Sequence, residues 1–107
     1  MKELNVSAHE TETRSVQFNN DGTKMFITGD RHLNLKDVHE FSLSTPFDIS
    51  TATHVVTIEI NEVVRTMQIK FNNDGSKMFL AGRLPNKVFE YSLSTNFDLS
   101  TATFNEI

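Results

Sequence analysis

FNNDGTKMF at Phe18–Phe26 returns as FNNDGSKMF at Phe71–Phe79. The match extends from Phe18–Asp30 onto Phe71–Arg83, and a second block, Phe41–Thr53, matches Tyr91–Thr103. Across these 26 aligned positions 19 are identical. Chance would give one or two at roughly 1 in 20, so the chain is an internal duplication of a unit of about 50 residues. The two blocks sit 53 and 50 residues apart because the first copy carries three extra residues between them, in the stretch DRHLNLKD.

Each unit reads as short strands punctuated by turns. In RTMQIKF, Met67, Ile69 and Phe71 alternate with Gln68 and Lys70, the period of two of a strand; RSVQF is its first-copy equivalent. The Asp-Gly pair of NNDG predicts a tight reversal with glycine at positive φ, leading into KMFITG or KMFLAG. DVHEFSL and KVFEYSL form a third strand, with His39, Phe41 and Leu43 on one face and Phe89, Tyr91 and Leu93 in their places. STPFDISTAT and STNFDLSTAT are dense in turn-forming Ser, Thr and Asp, and HVVTIEI follows as a β-branched fourth strand. Asp21, Gly22, Asp48, Asp74, Gly75 and Asp98 recur in both copies, so they read as structural turn residues. A catalytic group need occur only once.

Four antiparallel strands in about 50 residues, twice over, predict an all-β chain of two β-propeller blades, with a repeated β-sandwich half or a meander barrel as the other architectures. The blades span approximately 14–60 and 65–107 of one repeat domain, 1–107. The pattern F-N-N-D-G-[TS]-K-M-F followed by S-L-S-T-x-F-D-[IL]-S-T-A resembles the repeats of bacterial, phage-associated and marine-metagenome β-propellers, distantly similar to YVTN-type repeats. The resemblance covers nearly the whole chain and carries no catalytic residue with it. Such propellers have many blades, and this chain has two.

Two blades alone would leave apolar sheet faces in water. At ~25 cal/mol per Å², several hundred Å² of such exposure costs on the order of 10 kcal/mol, comparable to the stability of a small domain. The expectation is therefore self-association, with residues 1–6 completing the last strand of a neighbouring chain's second blade, and a trimer closing a six-bladed ring. A fragment or engineered piece of a longer propeller is the alternative.

Composition narrows the function classes. The chain of 107 residues holds ten basic and fourteen acidic residues, a formal charge of −4, which argues against nucleic acid as a partner. It has no cysteine, hence no disulfide or thiolate metal site, and no stretch reads as a signal peptide or membrane span. No nucleophile elbow or phosphate-binding glycine loop occurs, so no enzyme activity and no cofactor are expected. The loops after the second and fourth strands gather His9, Glu10, Glu12 and Arg14, then Glu62 and Arg65, with Asp30, Arg31, His32 and Arg83 from the hairpin loops. These are the ligand-binding candidates, for a protein or a glycan. HETE, His9–Glu12, lacks the second histidine of a zinc-protease helix, so no metal is assigned there. His39 and His54 align with Phe89 and Phe104 and read as packing residues. A lectin is the alternative function, suggested by small two-blade trimeric lectins of fungi and bacteria. Against it, Trp is absent and the one Tyr, Tyr91, faces the core.

Overall fold

The computed structural model describes residues 2–8, 10, 13–32, 35–60, 65–83 and 86–105, with backbone alone for 30–32, 35, 36, 65–67 and 83. The alternating segments form eight strands: β1 (Thr13–Phe18), β2 (Lys24–His32), β3 (Leu35–Leu43), β4 (Ala52–Glu59), β5 (Arg65–Phe71), β6 (Lys77–Arg83), β7 (Lys87–Leu93) and β8 (Ala102–Phe104). They make two antiparallel four-stranded sheets, β1-β2-β3-β4 and β5-β6-β7-β8, neither closed on itself. Among the described residues no helix is long and apolar enough to cross a membrane.

The turns follow from their residues. Gly22 and Gly75 take φ of 73° and 72°, the left-handed region where a Cβ is costly. In each β-hairpin the Asp carboxylate accepts from the backbone N–H two residues on, Asp21 from Thr23 and Asp74 from Ser76. Asp48 and Asp98 do the same for Ser50 and Ser100, capping single 3-10 turns at Ile49–Thr51 and Leu99–Thr101. The two turn types abut, because Phe47 donates its N–H to Gly22 O and Phe97 donates to Gly75 O, both at 2.9 Å.

All four aspartates are held below the usual carboxylate range. The main cause is a side-chain hydroxyl donor for each: Thr23 for Asp21, Ser50 for Asp48, Ser76 for Asp74 and Ser100 for Asp98. A depressed native value means stability is fully present above about 3.8 and is lost as pH falls through the lower native values. A melting-temperature profile between pH 6 and pH 2 should therefore fall below pH 4, and D21N/D74N should flatten that fall. An unchanged profile in the double variant would assign the acid limb to other carboxylates.

In each KMF triplet the Met and the Phe project to opposite sides of the strand. The sheets thus have a Met face and a Phe face. The Phe face of the first sheet, with Phe26, Val38 and the partly buried Val56 and Ile58, packs on the Met face of the second, with Ile69, Met78, Leu80, Tyr91 and Leu93. Leu99 completes this core. Among the described residues the remaining two faces have no sheet against them. On the first sheet's Met face, Met25, Ile27, Phe41 and Leu43 form a separate cluster that Leu4 and Val6 of the N-terminal segment lie against.

Candidate functional site

Of the loop residues predicted to bind a ligand, His9, Glu12 and Glu62 lie outside the described residues. Asp30, Arg31 and His32 end β2, and Arg65 and Arg83 are cross-strand partners at the start of β5 and the end of β6, with their side chains outside the description. Arg14 is exposed near the start of β1. Glu10 is different. It is 2% exposed, and its carboxyl group occupies the space over Gly29, where a Cβ would come within 2.2 Å of Glu10 Cδ. The glycine leaves room for an acid.

What Glu10 meets there is His39, on the Met face of β3. Glu10 Oε1 lies 2.9 Å from His39 Nε2, and Thr57 Oγ1 of β4 lies 2.7 Å from Nδ1. His54 Nε2 is 2.8 Å from the same Thr57 hydroxyl. The tautomer with a proton on Nε2 satisfies each contact: His54 donates to Thr57, Thr57 donates to His39 Nδ1, and His39 donates to Glu10. Asp37, two residues before His39 on β3, shares its face, and one ligand-capable atom from each of Glu10, Asp37 and His39 falls within 4.8 Å of the others. His39 is thus buried, as a packing residue would be, but inside a polar network that its alignment with Phe89 does not suggest.

Carboxylate, imidazole and hydroxyl in series have the connectivity of a hydrolase triad. Thr57, however, is a secondary hydroxyl on a sheet face and already engaged by His54, which leaves it a poor nucleophile. The network is confined to the first copy. The second places Lys87 and Phe89 where the first has Asp37 and His39. Differences between duplicated units were the available signal for this cluster.

A groove lies elsewhere, at the edge of the second sheet. Its volume is about 610 Å³, and Phe79, Val88, Phe89 and Phe104 line it with Lys87 and Glu90 at its rim. It runs alongside β8 and Asn105. Among the described residues β8 pairs with Leu93, Ser92 and Tyr91, and Asn105 donates to Glu90 O, whereas β4 pairs with β3 from Leu43 to Asp37.

The chain matches no protein-family model, no curated protein and no solved structure.

Proposed function

We propose that the chain is a non-enzymatic β-propeller binding and assembly module, built by head-to-tail association of two-blade chains. The observation that carries this reading is that the two faces without a second sheet, one of them partly covered by Leu4 and Val6, carry the equivalents of the residues that form the interface within the chain. Val38 is fully buried on the Phe face of the first sheet, while its equivalent Val88 is 69% exposed; Ile69 is 2% exposed on the Met face of the second, while its equivalent Val16 is 54% exposed. A closed two-sheet sandwich of a duplicated unit would bring like faces together. Here unlike faces meet, so the same step can be taken again by another copy.

The residues that make the polar contacts across the interface have counterparts in the other unit. Glu40 accepts from Leu99 N–H at 3.0 Å, Lys24 Nζ donates to Phe97 O at 3.0 Å, and Asn20 donates to Asn73 O. By equivalence Glu90, Lys77 and Asn73 of one copy would take Ile49 N–H, Phe47 O and Asn20 O of the next. The N-terminal segment fits this scheme. Leu4 and Val6 lie beside Phe41 and Ile49 as Ile58 and Ile60 lie beside their equivalents Tyr91 and Leu99. In this reading residues 2–6 take the place of the end of a preceding outer strand and would extend beside β7 of a neighbouring copy, whose pairing among the described residues runs to Glu90.

Light scattering on a sizing column across a dilution series tests this. A species near three times 12.2 kDa is expected, six blades in all, and E90A should shift it toward monomer. A dimer or tetramer would keep the head-to-tail step and change the blade number. A dilution-stable monomer would overturn the proposal. The lectin reading gains nothing from the site, since Tyr91 is 4% exposed in the core.

A further inference from the structure

We infer that Glu10, Asp37 and His39 form a binding site for one divalent first-row metal ion, with zinc the best match, tying the segment before β1 to β3. Three observations converge on it. The donor set of one imidazole nitrogen and two carboxylates is one that zinc takes, three protein ligands leaving a fourth position for water. The groups are enclosed, with Glu10 2%, Asp37 5% and His39 1% exposed, and two carboxylates neutralise a divalent cation, which removes most of the cost of burying it.

The geometry is close to that of a loaded site. Zinc bonds of ~2.0–2.1 Å set ligand atoms roughly 3.3 Å apart. His39 Nε2 and Glu10 Oε1 are already 2.9 Å apart, and the whole set lies within 4.8 Å, a span that carboxylate rotation can close. The outer contacts are also those of a ligand histidine. With an ion in place of the Nε2 proton the relay reverses, Nδ1–H donating to Thr57 Oγ1 at 2.7 Å and Thr57 to His54 Nε2, which fixes the ring with Nε2 toward Glu10.

The third observation is the duplication itself. His39 and Asp37 stand where the other copy has Phe89 and Lys87, while the glycine under Glu10, Gly29, is shared with the other copy as Gly82. A hydrophobic residue at this strand position is compatible with the fold, because the second sheet carries one there. The polar set is therefore an addition to the fold rather than a requirement of it. All three ligands come from one chain, from the segment before β1 and from β3, so the site needs no neighbouring copy, although it lies on the face that the proposed association would cover.

Isothermal titration of the intact chain with zinc chloride should give one ion per chain. H39F, which copies the second unit, should remain folded by circular dichroism and bind at least about tenfold more weakly; E10Q and D37N should weaken binding as well. Cobalt(II) should give the intense visible absorption of a four-coordinate ion in the parent chain and lose it in these variants. No heat with zinc, or binding unchanged in both H39F and E10Q, would overturn the site, the second result assigning the ion to other histidines. If H39F fails to fold, the E10Q titration and its cobalt spectrum decide.

Discussion

Gly75→Ala is expected to destabilise the chain by about 2–5 kcal/mol, a large part of the stability of a domain this size. A left-handed backbone costs a residue with a Cβ about 1–2 kcal/mol, and crowding a packed site adds about 1–3 kcal/mol. The crowding is specific: a Cβ on Gly75 would lie 2.2 Å from the ring of Phe97. That ring is held between Phe71, at 5.1 Å between centroids, and Phe26, at 6.4 Å, so it cannot move aside without opening the core between the sheets. Gly22→Ala places a Cβ 2.3 Å from Phe47 in the same turn geometry, but Phe47 is 59% exposed and can swing into solvent. The two substitutions should therefore differ, Gly75→Ala costing more, and urea denaturation of both variants measures the difference. Equal losses would mean that the backbone angle alone sets the effect and that Phe97 is not held by the core.

Glu40→Ala should cost about 2–4 kcal/mol. The Glu40 side chain is 3% exposed at the junction of the sheets, where it accepts from the N–H of Leu99 and faces Lys24 Nζ at 3.4 Å. Truncation leaves a buried backbone donor unpaired and an ammonium without its counter-charge. Glu40→Gln keeps an acceptor for Leu99 and loses only the ion pair, so it should retain part of the loss. The equivalent pair on the free face, Lys77 and Glu90, is 3.5 Å apart with the two side chains 49% and 39% exposed, and in a dissociated chain its removal should cost no more than about 1 kcal/mol. Guanidinium denaturation of the three variants checks the order. A loss below about 1 kcal/mol for Glu40→Ala would mean that water replaces the carboxylate and that the junction is less dry than its burial implies.

The strands and hairpins were legible because their causes are local. Alternation in RTMQIKF, the Asp-Gly of each hairpin and the Ser-Thr-Asp runs act within a few residues, and the strands formed where these signals stand. The sharing of one face by His39, Phe41 and Leu43 was equally readable from the period of two. Phe47 and Phe97 were not legible. They adopt φ of 60° and 58°, a region bulky residues avoid, and each ring lies over the glycine of the adjoining hairpin. That arrangement depends on a partner more than twenty residues away. The Glu10–His39 pairing escaped for the same reason. It joins residues 29 apart, and a charged residue in a loop carries no mark of burial. Only the mismatch with the second copy set His39 and Asp37 apart.

That mismatch has a counterpart in residues that do match. Val38 and Val88 occupy equivalent strand positions, flanked by Asp37 and His39 in one unit and by Lys87 and Phe89 in the other, yet one is fully enclosed and the other largely in water. The molecule therefore contains its own control experiment. Val38→Ala and Val88→Ala remove the same two carbons from the same local backbone, so propensity and chain entropy cancel between them, and the difference in their effects isolates what the contact between the sheets contributes. For the same reason the two copies are not free to diverge alike. A substitution that is tolerated at a position in one unit can be excluded at the matching position in the other, and which unit tolerates it reports which side of that residue is covered.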